Sequence, residues 1–111
     1  MKCAEKSPRE CPDGSIRWYE GDTFSLVFEV SLSDENGENI EVGATDQLVV
    51  TFKDKEGTPI HKFTETGTTA ITMQFTEEIS KKFKTGEYTY TTRFRGDYIK
   101  TIMKNNKVVV E

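Results

Sequence analysis

Apolar and polar side chains alternate along most of this chain after residue 14. Every second residue is apolar in the segment 23–32, and the segments 47–54, 70–75 and 87–95 repeat this period. Such alternation predicts β-strands with one face buried and the other in water. The inward positions predict a core of Phe24, Leu26, Phe28, Val30, Leu48, Val50, Phe52, Ile71, Met73, Phe75, Tyr88, Tyr90 and Phe94.

Residues that favour tight turns interrupt these strands at short intervals. The pair Asn36-Gly37 predicts a hairpin tip, because both residue types tolerate a positive φ. The segment 54–57, Gly67, the pair 96–97 and the pair 105–106 predict further turns. Short strands joined by frequent turns are typical of sheets in which consecutive strands pair antiparallel.

One segment departs from the two-residue period. Thr76 is a suitable N-cap, acidic residues follow it, lysines come next, and Gly86 supplies an end signal. We therefore predict a short helix near 77–84. Ile79 and Phe83 are four residues apart, so they share a helix face and can pack onto the core together.

The order of these elements predicts an all-β fold, an antiparallel β-sandwich of about seven or eight strands with one short helix. Pro59 opens the segment 59–64, and its missing N–H predicts a first strand position or an edge strand. Residues 1–14 contain both cysteines and two prolines, and we expect a flexible N-terminal arm there. Residues 15–111 are sufficient for one domain.

Charge and hydropathy argue against two classes of partner. Lys and Arg number 15 and Asp and Glu 19, so the formal net charge is −4. A nucleic-acid surface needs clustered basic residues in excess, so we expect no nucleic-acid partner. No apolar run approaches the roughly 18–20 residues of a membrane span, and residues 1–14 lack the apolar core of a signal peptide. We expect neither a membrane partner nor a signal peptide.

The residue types that most often carry catalysis are few and scattered. His61 is the single histidine and no G-x-S-x-G sequence accompanies it, so we interpret it as an exposed surface residue. Cys3 and Cys11 lack metal-ligand spacing, and both a disulfide and free thiols stay open. The acidic stretch 34–41 does not match an EF-hand, and 95–97, which spells Arg-Gly-Asp, is interpreted as a turn. We expect no catalytic, cofactor-binding or metal-binding residue, and therefore no enzyme.

Three aromatic residues are candidates for an interaction surface. Trp18, Tyr19 and Tyr98 could form a platform for a sugar if all three were exposed together. The alternative is that they cap the core of a small sandwich, which is the commoner role of such residues.

The C-terminal valines are a second candidate. Val108, Val109 and Val110 alternate to both sides of a strand, so an unpaired edge there could dock a partner strand. The same run would also suit a strand buried between sheets.

Two segments carry a resemblance to a known protein family. The first is 16–24, Ile-Arg-Trp-Tyr-Glu-Gly-Asp-Thr-Phe, before the first long strand. The second is 83–90, Phe-Lys-Thr-Gly-Glu-Tyr-Thr-Tyr, before a hairpin and the closing 107–110. With 42–45 between them, this order resembles the small immunoglobulin-like domains of tailed-phage virions. It is most similar to the N-terminal domain of the upper baseplate protein of phages of Gram-positive hosts.

The resemblance implies an immunoglobulin-like sandwich with a structural corner at Gly21, Asp22, Gly86 and Tyr88, where the tyrosine hydroxyl returns to the backbone. It implies a non-enzymatic assembly module of a phage or prophage virion, in the baseplate, tail or neck. The implied partners are other virion proteins or further copies of the chain. The implied location is the virion, after synthesis in the bacterial cytoplasm. The alternative function is a cell-surface or carbohydrate-binding module.

Overall fold

The fold is given by a computed structural model that describes residues 9–10, 15–30, 36–37, 42–96 and 99–111. These residues form eight strands and one short helix. In chain order the elements are β1 (Arg9–Glu10), β2 (Ile16–Trp18), β3 (Phe24–Glu29), β4 (Gln47–Asp54), β5 (Pro59–Thr66), β6 (Ala70–Phe75), α1 (Glu77–Ser80), β7 (Gly86–Arg95) and β8 (Ile99–Val110).

The strands form two sheets that face each other across one core. The larger sheet has the order β1-β2-β8-β7-β4-β5, and β3 pairs with β6 in the smaller one. The prediction of an all-β, sandwich-like fold is confirmed. The prediction that all pairing is antiparallel is wrong, because β2 runs parallel to β8, with Ile16 opposite Val108 and Trp18 opposite Val110. Alternation within a strand reports which side chains are buried, and it does not report strand direction.

The predicted core positions are buried, except Phe28, which is half-buried against the same cluster. Ile16, Trp18, Val108 and Val110 join them from β2 and β8. An aromatic group occupies the centre, with ring centroids 4.6–6.5 Å apart in tilted, edge-on and stacked contacts. Its members are Trp18, Phe24, Phe52, Phe75 and Phe83. Such ring pairs add to the stabilisation that comes from apolar burial alone.

Two of the predicted turns join strands as expected. In the turn after β4, the Asp54 carboxylate accepts hydrogen bonds from the backbone N–H of Glu56 and of Thr58, both at 2.9 Å. Gly57 has a φ of +86° there, which a side chain would strain. Gly67 lies in the turn between β5 and β6. Pro59 opens β5, which lies at an edge of the six-stranded sheet among the described residues, as predicted.

The other predicted turns have different outcomes. Gly96 lies between β7 and β8, and Asp97 lies outside the described residues. Asn36 and Gly37 form a turn, but the residues on either side lie outside the described part. The pair 105–106 is not a turn, because β8 continues through it and the β7–β8 register shifts between Tyr90 and Thr92 instead. Of the predicted arm 1–14, only β1 is described, and it pairs with β2.

The helix is shorter than predicted. Thr76 caps it, with its hydroxyl accepting from the Ile79 N–H at 3.4 Å, but α1 ends at Ser80. The backbone then tightens, because the N–H of Lys82 and of Phe83 bond to carbonyls three residues earlier. This tightening brings Phe83 into the core, where it is fully buried. Ile79 is half-buried against the same core cluster, so both residues face the core as expected, although Phe83 lies beyond the end of the helix.

Candidate functional site

The six-stranded sheet has an outer face that points away from the core and from the β3–β6 layer. Leu48, Val50 and Phe52 of β4 are in the core, and each lies opposite an inward residue of β7. Because successive side chains of a strand point to opposite sides, the residues between them lie on the outer face. On β4 and β7 these residues are Gln47, Val49, Thr51, Lys53, Glu87, Thr89, Thr91, Arg93 and Arg95.

A groove of about 470 Å³ runs over this outer face. Its floor consists of short side chains in the middle of the sheet, Val49, Thr51 and Thr91. Val49 and Thr91 are only 8% and 5% exposed, although they lie on the outer face. The longer side chains that line the groove with them are expected to cover part of this floor.

The walls of the groove are basic. Lys53 and Lys62 line it from the β4 and β5 side, and Arg93 and Arg95 line it from β7. Among the described residues that line the groove, none is a carboxylate. The charge of the groove lining is thus opposite in sign to the net charge of the chain, which is −4.

An exposed apolar side chain lies at one end of the groove. Ile99, the first residue of β8, is 61% exposed and lies directly opposite Arg95 across the β7–β8 pair. Arginine is enriched at protein interfaces relative to the rest of the protein surface.

His61 lies at the β5 edge of the groove and contacts the segment after α1. Its ring lies edge-on to Phe63, with the centroids 4.6 Å apart, and its Nδ1 is 3.1 Å from the Lys82 ammonium nitrogen. Burial and the neighbouring Lys82 charge lower the pKa of His61 below its ordinary value of 6.5. A neutral imidazole can accept a hydrogen bond from the ammonium at Nδ1. His61 is a surface residue of intermediate exposure, less exposed than predicted.

The candidate platform of three aromatic rings does not form. Trp18 is fully buried among the core rings, so it cannot present a face to a sugar. Tyr19 is 53% exposed, because the chain leaves β2 at that residue. Tyr98 lies outside the described residues. The interpretation of Trp18 as a core residue is the one that the structure supports.

Of the two alternatives for the C-terminal valines, the structure supports the buried strand and not the unpaired edge. Val108 and Val110 are buried in the core, and Val109 on the opposite face is half-buried. β8 is not an edge strand in this segment, because β7 pairs along one side of it and β2 along the other. The backbone groups of these valines are therefore already part of the sheet.

The four residues expected at a structural corner lie near the junction of α1 and β7. Gly21 has a φ of +89°, and beside it the N–H of Asp22 donates to the Tyr19 carbonyl at 3.0 Å. The hydroxyl of Ser80 donates to the Asp22 carbonyl at 2.6 Å. Gly86 opens β7.

Tyr88 completes this corner two residues later. Its hydroxyl donates to the Lys84 carbonyl at 2.8 Å. Burial raises the pKa of Tyr88 above its ordinary value.

The described residues contain neither a metal-binding cluster nor a membrane-spanning helix. These residues contain no group of three His, Cys, Asp or Glu side chains placed to hold a metal ion. Nor do they include a helix of the length and apolarity that a bilayer crossing requires. Cys3 and Cys11 lie outside the described residues, as does most of the acidic stretch 34–41.

Comparison with known proteins gives no relative. No protein-family description, no curated protein and no solved structure matches the chain. The functional argument therefore rests on the groove and on the fold that builds it.

The groove is the feature that sequence reasoning missed. The alternation of 87–95 placed Arg93 and Arg95 on the wet face of a strand, which was a usable signal. Lys53 and Lys62 gave no such signal, because they belong to two other strands that become neighbours only through the sheet register.

Proposed function

We propose that this chain is a non-enzymatic docking module and that the basic groove is the surface that holds its partner protein. The observation that carries the proposal is the combination of a shielded Val49 and Thr91 floor with basic walls and the exposed Ile99. Interfaces use this pairing to align a partner and to exclude water.

The finer fold that we propose is immunoglobulin-like. Three features support it: the strand order β2-β8-β7-β4-β5 facing a β3-β6 layer, the parallel pairing of β2 with β8, and the bond from Tyr88 to the Lys84 carbonyl. A tyrosine near the start of a strand, bonded to the backbone a few residues upstream, is a hallmark of immunoglobulin-like sandwiches. Such folds host many functions, so the site has to carry the functional argument.

The biological setting that we propose is a phage or prophage particle, in the baseplate, tail or neck. The support is the resemblance of 16–24 and 83–90 to the small domains of tailed-phage virions. The partners are then other virion proteins or further copies of the chain. A carbohydrate-binding module is the weaker alternative, since the buried Trp18 takes away the central ring of its platform.

The test is pairwise co-expression with the products of the flanking reading frames. The chain is tagged and purified, and complexes are sized by light scattering. We expect a complex with a tail or baseplate protein, and we expect the double variant Arg93→Glu, Arg95→Glu to lose it.

The matched control is Lys55→Glu, Lys81→Glu, which makes the same charge change at exposed sites outside the groove lining. Circular dichroism verifies that both double variants fold. If the arginine variant still forms the complex, the groove is not the surface that binds the partner. The virion setting would be wrong if the flanking frames encode no virion protein and none of their products binds the chain.

A further inference from the structure

We infer that two copies of the chain pair through β5, with the two β5 strands antiparallel about a two-fold axis at Phe63. The inference goes beyond the proposed docking function, because it uses the edge of the six-stranded sheet and not the groove. It follows from the backbone groups that this edge leaves open and from the side chains that symmetric pairing brings together.

β5 is the outermost strand of its sheet, and among the described residues no strand pairs with the side that faces away from β4. We call this side the open side. β5 is eight residues long, and its one irregularity lies near its beginning, opposite Phe52 and Lys53. Edge strands that stay unpaired are commonly short, bulged or interrupted by proline. The segment 61–66 is regular, so it is a template for a further strand.

A hydrogen bond at the end of β5 fixes the phase of its ladder with β4. Gly67 donates its N–H to the Asp46 carbonyl at 2.8 Å, and the next pair along the ladder is Gln47 with Thr66. Hydrogen-bonded and non-hydrogen-bonded pairs alternate between antiparallel strands, so Thr66 belongs to a non-hydrogen-bonded pair. Its N–H and C=O therefore point to the open side.

The same phase applies along the regular segment. Thr64 and Lys62 are two and four residues before Thr66, so their N–H and C=O groups also point to the open side. All three residues are exposed. Phe63 and Glu65 lie between them and use their backbone groups on β4. Within this segment, a further strand can therefore bond only to the backbone of Lys62, Thr64 and Thr66.

Symmetry limits how a second copy can pair with this edge. A two-fold axis normal to the sheet makes the two β5 strands antiparallel and keeps the outer faces of both sheets on the same side. Such an axis must pass through a residue, because directly opposite side chains have to lie on one face. Three axis positions lie near the middle of β5, at Lys62, Phe63 and Thr64.

The side chains favour the axis at Phe63. An axis at Lys62 places the two lysines directly opposite each other, and like charges in that position destabilise a strand pair. An axis at Thr64 places Phe63 opposite Glu65, so that an aromatic ring faces a carboxylate. An axis at Phe63 places the two phenylalanines opposite each other and His61 opposite Glu65, twice by symmetry.

Phe63 is the apolar centre of this pairing, on the inner side of the sheet. Its ring is half-buried against the core, with its centroid 5.1 Å from that of Phe75 and 6.0 Å from that of Phe52. The two copies of Phe63 form a non-hydrogen-bonded pair, in which Cα atoms are only about 4.5 Å apart. The exposed parts of the two rings can therefore cover each other and exclude water.

His61 and Glu65 supply the polar part of the pairing. The Lys82 ammonium nitrogen lies 3.1 Å from Nδ1 of His61 and can donate to it, which leaves the proton of a neutral imidazole on Nε2. This N–H can donate to the Glu65 carboxylate of the second copy, which the register places directly opposite. A neutral ring then links an ammonium group of one copy to a carboxylate of the other.

The charged residues of the edge select this register and do not prevent pairing. Lysines and inward-facing carboxylates on edge strands often keep other strands away. With the axis at Phe63, Lys62 lies opposite Thr64 of the second copy and Glu65 lies opposite His61, so neither charge directly faces its own sign. The two lysines are diagonal neighbours on the wet outer face, where their long side chains can turn apart.

The first test is the mass of the full chain by analytical ultracentrifugation from about 1 µM to about 1 mM, in reducing buffer. We expect the mass to rise from one chain towards two with concentration. Thr64→Pro should weaken the dimer about tenfold or more, because it removes an N–H that bonds only to the second copy. Thr64→Ala keeps that N–H and should dimerise as the unchanged chain does. Circular dichroism verifies that both variants fold.

The second test is a crosslink that reports the register. In a chain with Cys3→Ser and Cys11→Ser, the double variant His61→Cys, Glu65→Cys should form disulfide-linked dimers on mild oxidation. The axis at Phe63 makes these positions a non-hydrogen-bonded pair, whose Cα separation suits a disulfide. Each single variant should not crosslink, because the register sets the two copies of either position about 13 Å apart along the strands.

The outcomes distinguish the ways in which this inference can fail. A chain that stays monomeric at the highest concentration would overturn it. A dimer that is unaffected by Thr64→Pro would place the contact elsewhere, and a dimer that crosslinks in a single variant but not in the double variant would overturn the register. If the chain alone is monomeric and Thr64→Pro loses the partner found by co-expression, the edge binds a strand of another protein and the choice of a second copy is wrong. None of these results decides the groove proposal, because its test variants Arg93 and Arg95 lie on β7.

Discussion

Tyr88 and Lys84 are joined by a 2.8 Å hydrogen bond from the tyrosine hydroxyl to the lysine carbonyl, which closes the corner between α1 and β7. We expect Tyr88→Phe to lower the free energy of unfolding by about 1–2 kcal/mol, since the half-enclosed carbonyl loses its partner. The variant keeps the ring contact with Phe83, whose centroid is 5.2 Å away. Urea unfolding measures the change. A midpoint equal to that of the unchanged chain would show that the bond contributes nothing.

Thr92 offers a stabilising substitution. Its side chain is fully buried, and among the described residues nothing lies within hydrogen-bonding distance of its hydroxyl. Thr92→Val removes an unsatisfied polar group and keeps the shape, so we expect a gain of about 1 kcal/mol in urea unfolding. Thr72→Val, on the exposed face of β6, is the matched control for the strand preference of valine. Equal gains in both variants would contradict burial as the cause.

Trp18 should behave as a core residue and as a reporter of folding. We expect its fluorescence to shift to longer wavelength on unfolding, and Trp18→Ala to cost about 3–5 kcal/mol. Trp18→Phe should cost clearly less. It keeps an aromatic ring and removes an indole N–H that has no acceptor among the described residues. Comparable losses in the Phe and Ala variants would argue against this account.

His61 predicts a dependence of stability on pH. Its pKa is lowered in the folded chain, so the unfolded chain takes up the proton first as the pH falls below about 6.5. We therefore expect the free energy of unfolding to fall as the pH drops from 7.5 to 5, and His61→Gln to flatten that part of the profile.

The cause of this shift can be tested in the same chain. His61 is the single histidine, so its NMR titration is free of overlap. Lys82→Met should raise its pKa towards the ordinary value, because it removes the charge beside Nδ1. Lys81→Met, the neighbouring exposed lysine, is the control. An equal effect of both substitutions would rule out the specific contact.

The period of the sequence was enough to predict the core, because alternation in β3, β4, β6 and β7 marks each inward residue directly. It was not enough for β2 and for the end of β8. The runs Ile16–Trp18 and 108–110 are three residues long, and such short runs do not reveal what covers them. Trp18 and the valines were therefore open to a surface interpretation until the parallel pairing buried them.

The site was harder to predict than the core, for a physical reason. Lys53, Lys62 and Arg93 are far apart along the chain, and only the β5-β4-β7 register brings them onto one face. Lys53, Lys62 and Arg93 line this face because, among the described residues, no strand or helix packs over the outer face of the six-stranded sheet. A sequence with net charge −4 gives no hint that its cations gather, because net charge averages over the surface.

The parallel pairing of β2 and β8 has a mechanical consequence. Glu111 donates its N–H to the Trp18 carbonyl at 2.8 Å and accepts from the Glu20 N–H at 2.9 Å, which extends that pairing beyond the strands. A force that pulls residues 15 and 111 apart acts along these strands, so their hydrogen bonds are sheared together and do not open one after another. We expect single-molecule pulling at these positions to need more force than pulling β7 from β8 at their open end. A domain loaded in this way can transmit tension along an assembly without unravelling.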